Sequence, residues 1–316
     1  MKKKIILSKK FIPEAVDRLA EKFDLVIAEE LELSLAGALR ENPDAEGLIS
    51  FLSDPVDRSV IDLGKKLKII ANYAVGYNNI DLDYARQRGI IVCNTPDVLT
   101  EATADIAWTL IMACARHLVP SDRYVREGRF EGWGSQLFLG KELHGSRLGI
   151  VGMGRIGQAT AKRAKGFGME ILYHSRNRKT DLDQSEGYLY RSLDELARES
   201  DIVSLHLPYT PDLHHLFDRR RFDLMKPDAI FINTARGQLM DEACLVEKLK
   251  RNELFAAGLD VYEFEPRITS ELKTLENAVL TPHTGSGTYQ TRLKMANKNI
   301  ADISRVLSGQ EALNAV

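Results

Sequence analysis

The chain is short of cysteine, has no long apolar run and carries no surplus of either charge, and each shortage removes a class of protein. Its three cysteines, Cys93, Cys114 and Cys244, lack metal-ligand spacing and are too few for a disulfide framework, so they read as buried thiols of a reducing, cytoplasmic compartment. Basic residues number 43 and acidic residues 45, a formal net charge of −2, and they are spread along the chain, so no nucleic-acid partner is expected. The most apolar stretch, Ile106 to Ala115, covers about ten residues where a membrane-spanning helix needs about 20. Lys2-Lys3-Lys4 precedes only Ile5-Ile6-Leu7, too short for the apolar region of a signal peptide, and reads as the edge of a first strand. Repeats of short period and low-complexity tracts are lacking too. What is present, 44% hydrophobic and 28% charged residues over 316 positions, suits a soluble globular chain with room for two domains.

The most informative stretch is Leu148-Gly149-Ile150-Val151-Gly152-Met153-Gly154-Arg155-Ile156-Gly157. Residues of buried-strand character run into three spaced glycines, and an Ala-rich segment with a Lys/Arg face follows from Gln158 to Phe167. In a strand, turn, helix context Gly152 makes the turn, Gly154 lets the backbone approach a pyrophosphate, and Gly157 lets helix and strand pack closely. The helix N-terminus then offers unpaired N–H groups to the phosphates. A second strand, Glu170 to Tyr173, ends about 20 residues on, where an acid would bind the ribose 2′-hydroxyl of NAD. The chain instead reads His174-Ser175-Arg176-Asn177-Arg178-Lys179, with no acid. Ser175 and the Arg176 guanidinium suit a 2′-phosphate, so NADP(H) is expected in preference to NAD(H), while Arg178 and Lys179 read as a solvated basic loop.

The first hundred residues alternate short apolar runs with helical patterns, which implies a parallel sheet covered by helices on both faces. Strands are expected near Ile5–Leu7, Leu25–Ala28, Leu48–Phe51, Ile69–Asn72 and Ile90–Cys93. Thr100 to Leu118 reads as one long helix, too apolar for a surface and therefore expected between domains or subunits. Ser121 to Lys141 reads as an irregular arm. After the glycine turn, strands are expected at Ile202–Leu205, Ala229–Asn233, Ala256–Val261 and Val279–Thr281, with helices at Ser192–Glu199 and Asp241–Lys250. A last helix, Thr288 to Leu307, is expected to return to the first domain. The fold expectation is α/β with two doubly wound parallel-sheet domains: a Rossmann dinucleotide-binding domain at 100–286, and a flavodoxin-like substrate domain made of 1–99 and 287–316.

Three segments end a strand with a reactive side chain, at the sheet edge where doubly wound proteins bind ligands. They are Asn233-Thr234-Ala235-Arg236-Gly237, Gly258-Leu259-Asp260-Val261 with Glu265-Pro266, and Thr281-Pro282-His283 with Gly285-Ser286. Singly, Arg236, Glu265 and His283 each have a structural explanation. Together the segments resemble the D-isomer-specific 2-hydroxyacid dehydrogenases, and Asn72–Asp81, Asn94–Asp97, Ala102–Asp105 and the glycine turn extend the resemblance over nearly the whole chain. Within that family the glyoxylate/hydroxypyruvate reductases are most similar, since their NADPH-preferring members also carry Ser-Arg after the second strand.

The resemblance implies reduction of a small 2-oxo acid by NADPH. His283 would donate the proton, Glu265 would keep it charged, and Arg236 would bind the substrate carboxylate and polarise the carbonyl. Val75 and Gly76 would offer backbone N–H groups to the same carboxylate. Thr103 and Gly154-Arg155-Ile156 would hold the cofactor phosphates, Ser175, Arg176 and Asn177 the 2′ position, and Leu207 and Pro208 the adenine side. Thr234, Ala235, Asp260 and Gly285 would lie by the nicotinamide, although Asp260 reads nearly as well as the cap of its own turn. Thr284 departs from many relatives, which have an apolar residue there. His206, His214 and His215 sit beside a strand end and in a polar loop without a carboxylate cluster, so no metal is expected. A homodimer is expected, as is usual in the family. Phosphoglycerate dehydrogenation, which usually comes with an added regulatory domain, formate oxidation, which uses Gln where Glu265 stands, and a dinucleotide-sensing corepressor are the competing readings.

Overall fold

The computed structural model describes residues 2–316. In chain order the elements are β1 (Lys4–Leu7), α1 (Pro13–Lys22), β2 (Asp24–Ile27), α2 (Leu35–Glu41), β3 (Gly47–Ser50), α3 (Arg58–Ile61), β4 (Ile69–Asn72), α4 (Leu82–Gln87), β5 (Ile91–Cys93), α5 (Thr100–Ala115), α6 (Leu118–Arg126), β6 (Arg147–Val151) and α7 (Arg155–Ala164). They continue with β7 (Glu170–His174), α8 (Thr180–Glu186), β8 (Leu189–Tyr190), α9 (Leu193–Glu199), β9 (Ile202–Leu205), α10 (Arg219–Leu224), β10 (Ile230–Asn233), α11 (Glu242–Lys250), β11 (Ala256–Leu259), β12 (Ala278–Leu280) and α12 (Tyr289–Leu307). Two compact units result: one runs to Leu99 and resumes at Ser286–Val316, and the other is Thr100–Gly285. No described helix is long and apolar enough to cross a membrane.

The first unit holds five parallel strands in the order β2-β1-β3-β4-β5. Its strands are short and mostly buried, as expected where helices cover both faces. Tyr73 binds the backbone of α12 through its hydroxyl, which donates to the Arg292 carbonyl at 2.6 Å, and packs against Phe11 and Phe51. Asn299 of α12 donates to the Ala71 carbonyl at 3.2 Å, and Met295, Ile300 and Ile303 join Ile5, Ile49 and Ile69 in one core cluster. The last helix thus belongs to the first unit.

The second unit holds seven parallel strands in the order β12-β11-β10-β9-β6-β7-β8. The order reverses between β6 and β9, which leaves a crevice at their carboxyl ends where such sheets take a dinucleotide. One core cluster covers one face with Phe217, Phe222 and Phe231; another covers the opposite face with Trp108, Leu110, Ile111 and Cys114 of α5. The apolar character of α5 is therefore used inside its own unit, where it packs on α7, β10 and β11, and the expected burial against another domain or subunit is not needed to explain it.

The helix expected to reach Leu118 stops at Ala115 because His117 adopts a left-handed backbone, φ 48°. A new helix, α6, then occupies the start of the stretch read as an irregular arm. Its Pro120 sits in the first turn, where its missing N–H costs nothing, and Asp122 pairs with Arg126 one turn on.

Candidate active site

The glycine turn has the geometry its three roles require. Gly152 has φ 101°, a conformation side chains rarely adopt, and a Cβ there would lie 2.6 Å from the His206 carbonyl oxygen. At Gly157 a Cβ would lie 2.1 Å from the Gly152 carbonyl oxygen, so only glycine lets α7 seat on the turn. Gly154 caps α7 with open space where a Cβ would stand and no side-chain cap, so the positive end of the helix dipole is open to the approach of an anion. Two buried polar atoms nearby in the topology have no partner: Nδ1 of His206, after β9, and Oγ1 of Thr234, after β10. Leu207 and Pro208 continue from His206 at the same sheet edge. These residues fit a nicotinamide dinucleotide.

Ser175, Arg176 and Asn177 follow β7. The Ser175 hydroxyl donates to the Asn177 carbonyl at 2.6 Å and keeps its own oxygen available as an acceptor. Arg178 is held by Asp183 at 2.7 Å, whereas Arg176 is exposed and has no ion-pair partner among the described residues.

Arg236, Glu265 and His283 come together at the carboxyl ends of β10, β11 and β12. His283 Nδ1 and Glu265 Oε2 are 2.9 Å apart, and the Tyr262 N–H donates to Glu265 Oε1 at 2.9 Å. With Nδ1 engaged, the free ring nitrogen of His283 is Nε2. Burial pushes the Glu265 carboxyl up, but the hydrogen bond and charge of His283, the Tyr262 N–H and the Arg236 charge outweigh it, so its pKa lies below the ordinary value. Burial lowers the Arg236 pKa, and the Glu265 charge opposes that shift.

Backbone packing explains why two of these loops meet. A Cβ at Gly237 would lie 1.9 Å from the Tyr262 carbonyl carbon, so the Arg236 loop and the Glu265 loop touch through bare backbone. Fully buried Asn233 shapes the Arg236 loop by donating to the Arg236 carbonyl at 2.8 Å and accepting from the Ala235 N–H at 3.0 Å. Neither Asn233 nor Gly237 was given a role from sequence; a buried amide at a strand end was the available signal.

Asp260 holds the third loop. Its Oδ1 accepts from the Thr281 hydroxyl at 2.6 Å and the Thr284 N–H at 2.7 Å, and its Oδ2 accepts from the Gly285 N–H at 2.7 Å. Asp260 therefore caps the turn around His283 rather than its own. Thr284, the departure noted above, adds its hydroxyl to the same carboxylate at 3.2 Å. Thr103 of α5 is buried beside this turn, its hydroxyl 3.4 Å from the Gly285 carbonyl. Val75 and Gly76 belong to the other unit, after β4, where Asn94 and Asn72 bind their carbonyls at 2.8 Å each.

Residues 108–285 match the family described as D-isomer specific 2-hydroxyacid dehydrogenase, NAD binding domain. A glyoxylate reductase of Thermococcus onnurineus is 46% identical over 301 residues, which cover 94% of this chain and 90% of that protein. The NADPH-dependent glyoxylate/hydroxypyruvate reductase of Sinorhizobium meliloti, solved with NADP and malonate, superposes with a TM-score of 0.89 at 32% identity, covering 100% of this chain and 97% of that one. A D-lactate dehydrogenase of Aquifex aeolicus, solved with NAD and lactic acid, gives 0.85 at 29% identity, covering 99% and 98%. The chain belongs to the D-isomer-specific 2-hydroxyacid dehydrogenases, enzymes that work with a nicotinamide dinucleotide.

Proposed function

We propose that the protein reduces glyoxylate, and hydroxypyruvate as a second substrate, to the 2-hydroxy acid, with NADPH preferred over NADH. The observation that carries this reading is the His283–Glu265 pair at 2.9 Å with Arg236 acting on the same carboxylate. The cofactor, when bound, supplies the hydride. Arg236 grips the substrate carboxylate with charge-assisted bonds and polarises the carbonyl. His283 gives its Nε2 proton to the carbonyl oxygen as negative charge develops there, and Glu265 keeps the ring oriented through Nδ1. Asp260 fixes the turn on which His283 stands, beside Thr234, Ala235 and Gly285 on the nicotinamide side.

Support for NADPH comes from the end of β7, where Ser175, Arg176 and Asn177 replace the acid an NAD site would use, and Arg176 has no competing carboxylate among the described residues. We also infer a homodimer. The α6 segment and the chain after it expose Leu118, Val125, Phe130 and Trp133, the last with 88% of its surface open. A monomer rarely leaves so many large apolar side chains uncovered together. Assaying 2-oxo acids of increasing size with both cofactors tests the substrate and cofactor reading. Glyoxylate with NADPH should give the highest kcat/KM; a bulkier 2-oxo acid, or NADH, in first place would overturn it.

A further inference from the structure

The sequence around His214 and His215 shows no cluster that would supply a ligand carboxylate. The fold brings one from 48 residues away: His215 Nε2 and Glu263 Oε1 are 2.7 Å apart. Ligand atoms of His214, His215 and Glu263 all lie within 4.8 Å of one another. Consecutive side chains in extended chain point apart, but the left-handed backbone of His215, φ 50°, lays the two rings side by side, with centroids 4.0 Å apart and planes at 21°. The His215 N–H is fixed to the Gln238 carbonyl at 2.9 Å.

Glu263 is held as a metal ligand needs to be. Its side chain is 8% exposed, its Oε2 accepts from the Glu242 N–H at 3.2 Å, and its own N–H donates to Glu242 Oε2 at 2.9 Å. Gln238 Nε2 donates to its carbonyl at 3.1 Å. Glu242 is fully buried and accepts from the Thr269 N–H and hydroxyl as well as from the Glu263 N–H, and no lysine or arginine pairs with either carboxylate among the described residues. Carboxylates withdrawn from water are ordinarily paired with a cation or bound to a metal, and the side chain that meets Glu263 here is the imidazole of His215.

We propose that His214, His215 and Glu263 form a binding site for a divalent transition-metal ion of the Zn²⁺ class. Two imidazoles and one carboxylate are the ligand set of an open tetrahedral site with solvent in the fourth position, and the nitrogen ligands select against Mg²⁺ and Ca²⁺. The ion takes the place of the proton shared by His215 and Glu263, which leaves to solvent. Two ligand atoms on a tetrahedral zinc lie roughly 3.3 Å apart, so the pair opens by a few tenths of an ångström. Exposed His214 closes onto the ion, and the Glu242 N–H orients the carboxylate from behind. The bound ion fastens the segment after Leu213 to the loop that, two residues on, carries Glu265.

The test is calorimetric titration of the chelator-treated full chain with ZnCl₂, and separately with MgCl₂, in wild type, His214→Ala and His215→Gln. His214 is exposed and outside the catalytic machinery, so His214→Ala keeps the glyoxylate reductase rate of the untreated fold; comparison with wild type separates this site from ions settling on other histidines. The expected result is one equivalent of Zn²⁺ in wild type that both variants lose or bind at least 10-fold more weakly, with no Mg²⁺ uptake at the same site. Wild-type stoichiometry and affinity in both variants, or no saturable Zn²⁺ binding in wild type, overturns the proposal and leaves a proton-bridged pair.

Discussion

His283 stands in a left-handed backbone conformation, φ 54°, that a residue with a Cβ adopts at a cost of about 1 kcal/mol or more. The surrounding contacts hold it there: Asp260 takes bonds from Thr281, Thr284 and Gly285, on both sides of the histidine, and Tyr262 donates to the Thr281 carbonyl at 2.9 Å. A single buried carboxylate thus sets the direction of His283, the proposed proton donor. His206 shows the opposite economy, a polar ring given almost nothing. Its Nε2 meets the Ser204 hydroxyl at 2.8 Å while its Nδ1 is sealed without a partner, and desolvation pushes its pKa down to about 3. Since that value lies below the ordinary 6.5, the unfolded chain binds the extra proton between these two pH values. Stability from this group is complete above pH 6.5 and is lost as pH falls toward 3. Part of the residue's surface remains open, which makes the full effect an upper bound. Urea denaturation at pH 7 and pH 5 should show wild type losing more stability than His206→Asn, by up to about 2 kcal/mol. Equal losses in the two proteins would contradict the desolvation argument.

Elements with a clear period were legible before the structure: the strands from β1 to β5 and those at β9, β10, β11 and β12 lie within two residues of their expected bounds, as do α9, α11 and α12. Capping chemistry explains part of that. Ser192 and Glu195 close a capping box on α9, and Asp241 accepts from the Cys244 N–H to start α11. Besides α6, the elements not foreseen are α8, β8 and α10, which are seven residues or fewer; each is placed by contacts distant in sequence, as Arg220 and Arg221 of α10 are by Asp194. Site geometry was legible by type and not by placement. Strand ends marked Arg236, Glu265 and His283, but the use of Asp260, the backbone contact at Gly237 and the meeting of Glu263 with His215 depend on loops that only the folded chain brings together. The end of β7 gives the sharpest prediction at this scale. Arg176→Ala should raise KM for NADPH at least tenfold with little change for NADH, because only NADPH has the 2′-phosphate that charge-assisted bonds would reward. Steady-state kinetics with both cofactors checks it, and equal losses would remove the argument for NADPH.

At the scale of the molecule, two parallel sheets of different strand order share one chain, and α12 returns to the first unit after the second is complete. Arg236, Glu265 and His283, the residues proposed for the chemistry, all stand on the second unit. The exposed apolar side chains of 118–139 lie on neither core and set the expectation for assembly. Light scattering on a sizing column should give a dimer, and Val125→Glu with Phe130→Glu should shift it to the monomer, since burying two unpaired charges in an interface is costly. A monomeric wild type would show that this surface serves another purpose. The account as a whole rests on proton donation by His283, and rapid-mixing measurement of NADPH oxidation by glyoxylate in His283→Ala tests it most directly. The predicted rate is at least ~100-fold below wild type, the scale of general acid catalysis; a near-normal rate would contradict the mechanism.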